Sequence, residues 1–116
     1  MPLSTRIGFT LSTVLAVMGC GSSEVPAKQM AESEAAIRAA SEVGAQENPQ
    51  AALHLKLARD RYEQAQAASK DGEQENAKVL LEKAEVDAEL ALSLTRKEQA
   101  AAKAEDAKRR ISPPSP

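Results

Sequence analysis

PQAALHLKLARDRYEQAQAASKDGEQENAKVLLEKAEVDAELALSLT, residues 49–95, carries the pattern from which the architecture follows. Ala, Glu, Gln, Lys and Leu dominate it, and these are the strongest helix formers. β-Branched and aromatic residues are sparse, so strands have little support. Asp71-Gly72 interrupts the stretch, because glycine punctuates a helical pattern where the chain must turn. Each half carries a seam with steps alternating between four and three. In the first half it is Ala51, Leu55, Ala58, Tyr62, Ala65 and Ser69; in the second it is Ala77, Leu81, Ala84, Ala88, Ala91 and Thr95. A period of 3.5 residues is the signature of helices packed along one face. The seam residues are mostly small, so two backbones can come close and gain dispersion contacts while burying little area per residue.

At the start of this stretch, Asn48 is placed to cap the middle helix and Pro49 to occupy its first turn. A weaker seam, Met30, Ser33, Ile37, Ala40 and Gly44, predicts a further helix from Val25-Pro26 to Gly44, where glycine suits the left-handed end of a helix. The last helix is predicted from about Glu73 to Arg110. It ends on Lys108-Arg109-Arg110, cations that complement a helix C-terminus. Such a helix spans about 57 Å at 1.5 Å per residue. From Arg96 to Arg110 its only apolar residues are alanines, so that part reads as a solvated extension, with Glu105–Arg109 and Asp106–Arg110 spaced to pair. Residues 111–116 read as a Pro-rich tail that cannot continue a helix. The expected fold is all-α: an alanine-rich antiparallel helical hairpin, or a small three-helix bundle, with a long C-terminal helix and a domain spanning 26–110.

A second stripe on the last helix, Val79, Val86 and Leu90, would stay wet on a lone hairpin. It is expected to cover the first helix or to face a partner.

Composition narrows the function. Only Phe9 and Tyr62 are aromatic among 116 residues, and the net charge is −2. A nucleic-acid binder needs a basic face and stacking rings, and neither is present. One cysteine and one histidine exclude a disulfide framework and a Cys/His zinc site within the chain.

The first twenty residues read MPLSTRIGFTLSTVLAVMGC. Arg6 is followed by a mostly apolar run from Ile7 to Met18, then by Gly19 and Cys20. A positive start, an apolar run and a small residue describe a secretory signal peptide, and the run is shorter than the roughly 20 residues a spanning helix takes. Val17-Met18-Gly19-Cys20 resembles the lipobox of bacterial lipoproteins, with Met18 where that family more often has Ala, Ser, Thr or Val. The resemblance implies cleavage between Gly19 and Cys20, removal of residues 1–19, acylation of Cys20 and a short linker over 20–25. One acyl chain holds a protein marginally and two suffice, so a triacylated Cys20 would anchor it permanently. Gly21 follows the cysteine where an Asp would resemble a signal for retention in the inner membrane, which implies the outer membrane in a Gram-negative cell and the cell membrane in a Gram-positive one. Cleavage removes Arg6 and no acid, so the mature charge is −3. An acidic body has no attraction for anionic headgroups and is expected to stand on its lipid.

Residues 26–95 resemble a bacterial family of short alanine-rich helical lipoproteins classed as a domain of unknown function. The likeness rests on the proline-started helix, the Gly72 turn, and Ala77, Leu81, Lys83-Ala84, Asp87-Ala88 and Leu90-Ala91 at their spacings. Related copies occur alone behind a lipobox or ahead of outer-membrane-protein-A-like domains, and the family brings no catalytic residues. Gly72, Ala77, Leu81 and Ala84 also resemble the turn and second helix of a tetratricopeptide repeat, but Arg61 and Ala68 depart from that pattern. One repeat cannot build a solenoid, which takes about three.

The remaining chemistry is thin. Glu82, Glu85 and Glu89 with Asp87 nearby could be read as a metal-binding set, yet the Glu-x-x-His pairs of helix-bundle metal sites are absent. They read as a solvated acidic face, with Lys78–Glu82 and Lys83–Asp87 spaced to pair. His54 reads as a seam-edge residue with no carboxylate near it in sequence, and Tyr62 as a packing residue. No nucleophile elbow or phosphate loop is present. The expected protein is therefore not an enzyme and uses no cofactor, metal or small-molecule substrate. It is a membrane-anchored periplasmic lipoprotein held by Cys20, with a structural or protein-interaction role, an envelope protein or a second copy as partner, and no nucleic acid. The competing reading is a soluble secreted helical module with Val79, Val86 and Leu90 as its groove.

Overall fold

The computed structural model describes residues 27–112. The signal segment, Gly19, Cys20, the linker and residues 113–116 lie outside the described residues. Three helices follow one another: α1 (Ala27–Glu42), α2 (Pro49–Lys70) and α3 (Gln74–Ile111), with a 3-10 turn at Ala45–Glu47 between the first two. The expected three-helix bundle with a long last helix is the observed architecture. The last helix runs one residue further than expected, so Ile111 is helical rather than the start of the tail.

The turns form where the sequence supplies their residues. Gly44 and Gly72 take φ of +86° and +83°, a region that costs an L side chain energy and costs glycine none. Asn48 Oδ1 accepts the Ala51 backbone N–H at 2.9 Å, and Pro49 occupies the first turn of α2, where no backbone donor is needed. At the other end of α2, Glu73 N–H reaches back to Ala68 O at 2.8 Å and Gly72 N–H to Ser69 O at 3.2 Å. Those bonds satisfy carbonyls that the helix end leaves open.

All six seam residues of α3, from Ala77 to Thr95, are buried. On α2, Ala51, Leu55, Ala58 and Ala65 are buried, Tyr62 and Ser69 are half-buried, and Ala68 is buried beside them. Leu55 and Leu81 are the largest fully buried side chains among the described residues, so the core is mainly alanine on alanine.

Helix α1 completes the bundle and runs parallel to α3. Ser33, fully buried, donates its hydroxyl to Leu81 O at 3.2 Å, and further along Gln99 Nε2 donates to Val43 O at 2.9 Å. Ala40, Ala45, Ala51, Leu55 and Ala91 form the cluster where the three helices and the 3-10 turn meet, with Ile37, Leu92 and Leu94 packed against it. The start of α1 therefore lies at the same end of the bundle as the turn between α2 and α3. Past Thr95 every described residue of α3 is exposed, as the polar composition of that stretch predicts.

Candidate functional site

The stripe Val79, Val86 and Leu90 is not used to seat α1. These residues are 46%, 62% and 40% exposed, while α1 packs on the other side of α3 against Leu81. Of the two expected covers, the first helix is thus excluded. Leu53 on α2 is also exposed, and with Gln50, His54, Leu90 and Leu94 it lines a shallow groove of about 290 Å³ between α2 and α3. Leu90 belongs both to this groove and to the stripe.

Beside the groove lies a polar cluster that sequence spacing missed. Asp87 is only 7% exposed, so it is no part of a solvated acidic face. Its Oδ1 lies 3.1 Å from His54 Nδ1, and its Oδ2 pairs with the Arg61 guanidinium. His54 and Arg61 stand seven residues apart on α2, two turns along one face, and Asp87 comes across from α3 to meet both. A carboxylate inside a bundle needs such partners, because desolvating an unpaired charge is costly. The expected Lys83–Asp87 pair does not form. His54, which has no carboxylate near it in sequence, meets one from 33 residues further along the chain. The only visible signal for this cluster was the seven-residue spacing of two basic side chains next to the α2 seam.

Other expected pairs also resolve differently. Lys78 bonds Glu75 at 3.0 Å rather than Glu82, and Glu105 bonds Lys108 at 2.9 Å rather than Arg109. Asp106–Arg110 forms as expected, at 2.9 Å. On α2, a hydrogen bond from Lys56 to Asp60 raises the pKa of the Lys56 ammonium above its ordinary value.

Glu82 and Glu89 are exposed and Glu85 is half-buried, and no group of three or more His, Cys, Asp or Glu side chains among the described residues could hold a metal ion. Among the same residues no helix is long and apolar enough to cross a membrane.

Fold and surface together make the described residues an alanine-rich three-helix bundle whose last helix runs on past the other two. The chain belongs to the family described as Domain of unknown function (DUF4398), which matches residues 28–107. That match includes much of the polar extension of α3, beyond the 26–95 stretch that carries the sequence resemblance. No protein of curated function and no solved structure matches the chain.

Proposed function

We propose that the protein is a lipoprotein of the bacterial envelope, anchored through Cys20 and facing the periplasm, with a non-catalytic structural or protein-interaction role. The observation that carries the reading is the sequence Val17-Met18-Gly19-Cys20 at the end of the apolar run, holding the only cysteine of the chain. With Gly21 after it, the outer membrane is the destination in a Gram-negative host.

The helical body supports a role in binding rather than catalysis. The buried ionic cluster of His54, Arg61 and Asp87 ties α2 to α3, and the nearby groove is shallow and lined mainly by aliphatic side chains. Cys20 lies seven residues before the first residue of α1, and α1 begins at the α2–α3 turn. Lipid on Cys20 would therefore attach at that end, and the free end of α3 lies at the other.

The test is metabolic labelling with a fatty-acid probe in the native host. The wild-type chain should incorporate label and Cys20→Ala should not. An unlabelled wild-type chain with its amino terminus intact refutes the anchor. The soluble secreted module, favoured by the exposed Val79, Val86 and Leu90 stripe, would instead leave the cells or membranes without detergent.

A further inference from the structure

The exposed side of α3 carries a charge pattern that reverses halfway along the helix. Every seventh residue from Glu75 reads Glu75, Glu82, Glu89, Arg96, Lys103, Arg110: three acids beside the bundle, then three bases on the free extension. All six are exposed. Glu82, Glu89, Arg96 and Lys103 make no ion pair with a described residue. Next to this column runs a second one with the same spacing: Val79, Val86, Ser93, Ala100 and Ala107, exposed throughout. The same asymmetry appears in the totals. Residues 27–95 hold eight Lys and Arg against thirteen Asp and Glu, whereas residues 96–111 hold six against three.

We infer that α3 pairs with α3 of a second copy, antiparallel, about a two-fold axis near Leu92 and Ser93. In that register Glu75 faces Arg110 of the other chain, Glu82 faces Lys103 and Glu89 faces Arg96. The two-fold repeats each pair, so every charge in the column meets its opposite. On the adjacent column Val79 comes opposite Ala107 and Val86 opposite Ala100, with Ser93 at the axis. Leu90 and Ile111, both exposed in the single chain, flank the same seam. A parallel pairing in register would set each glutamate against a glutamate and each base against a base. Charges flanking a helical seam choose orientation in this way, and a surface that matches itself is what a two-fold dimer requires.

The lengths agree as well. The extension from Arg96 to Ile111 is 16 residues, about 24 Å. The Glu75–Leu90 part of α3 that it would cover is also 16 residues, and the two bundles then lie end to end with little overlap. Helical stability in proteins comes mostly from packing of one face, and the extension, exposed all round in the single chain, gains such packing from the other copy's bundle. The inference does not rest on lipidation. If both hold, the two anchors emerge at opposite ends of the pair, and the rod lies along the membrane instead of standing up from it.

Sedimentation equilibrium of the full chain in mild detergent should show a reversible monomer–dimer equilibrium. Replacing Glu75, Glu82 and Glu89 together by Lys, or Arg96, Lys103 and Arg110 together by Glu, should raise the dissociation constant about tenfold or more, since exposed pairs are individually weak but act together here. Combining both sets restores opposite charges and should restore the wild-type constant. All six positions are exposed, so helicity should persist in each variant. In a Cys20→Ser background, Val86→Cys with Ala100→Cys should cross-link between chains, and Val79→Cys alone should not; if a charge variant loses helicity, the cross-links decide. A monomer at every concentration, a dimer indifferent to both charge reversals, or self-linking through Val79→Cys overturns the inference.

Discussion

His54 Nδ1 and Asp87 Oδ1 lie 3.1 Å apart across the interface of α2 and α3, and Arg61 closes the other side of the same carboxylate. The two ends of this cluster are unequally buried. The Asp87 side chain is 10% exposed, against 33% for Arg61 and 27% for His54. Deleting the carboxylate lets both partners turn to water, whereas deleting Arg61 strands a buried charge with only His54 beside it. Arg61→Ala should therefore cost about 2 kcal/mol and Asp87→Ala about 1 kcal/mol, an ordering set by desolvation. Urea unfolding of both variants checks it, and a double mutant no worse than Arg61→Ala would show that the two residues act as one unit.

Leu81 and Leu90 sit nine residues apart on α3 but have different surroundings. Leu81 is fully buried, with its carbonyl bonded by Ser33 of α1, and Leu90 is 40% exposed. Leu81→Ala should cost about 3 kcal/mol, the transfer of its side chain plus the cavity left in a core with few large residues to collapse into it. Leu90→Ala should cost less than about 1 kcal/mol in the monomer. Thermal unfolding at a concentration low enough to keep the chain monomeric separates the two.

The seam of α3 was fully legible in the sequence because that helix is packed by α1 and α2 as far as Thr95, so burial follows periodicity without interruption. The α2 seam was less so. Tyr62 and Ser69 are only half-buried while Ala68 is buried, since α1 rests mainly on α3 and leaves one flank of α2 open. The stripe Val79, Val86 and Leu90 follows from the pattern, but the side to which α1 leans does not, because its seam has only Met30, Ile37 and Ala40 as apolar guides. The role of Asp87 is hidden for another reason. On its own helix it looks like one acid among several, and only the register of the hairpin brings His54 and Arg61 to it. Lys78 likewise chose Glu75 over Glu82, a choice between two carboxylates that spacing alone leaves open.

Asn48 joins two functions at one turn. Its carbonyl oxygen caps α2 through Ala51 N–H, and its amide nitrogen bonds Glu98, just past the last buried residue of α3. Asn48→Ala should lower stability by about 1 kcal/mol, the usual cost of losing a cap. Asn48→Asp keeps the cap but places a carboxylate against Glu98, so it should recover less than the full loss, and a second change, Glu98→Gln, should recover the rest. Chemical denaturation of the three variants gives the comparison.

Ala84 and Ala88 have no exposed surface, and both lie on the seam where α3 meets its neighbours. The helices approach closely because these side chains are methyl groups, so added carbon has nowhere to go without moving a backbone. Ala88→Leu should destabilise the bundle by about 2 kcal/mol despite its greater hydrophobicity, because overpacking forces strained rotamers or separates the helices. The same substitution at Ala104, on the exposed extension, adds a better-placed apolar group to a free helix face and should leave monomer stability within about 0.5 kcal/mol. Parallel melts of Ala88→Leu and Ala104→Leu decide between a core limited by volume and one limited by hydrophobic area. If Ala88→Leu raises the melting temperature, the alanine seam has room to spare and close helix approach is not what holds the bundle together.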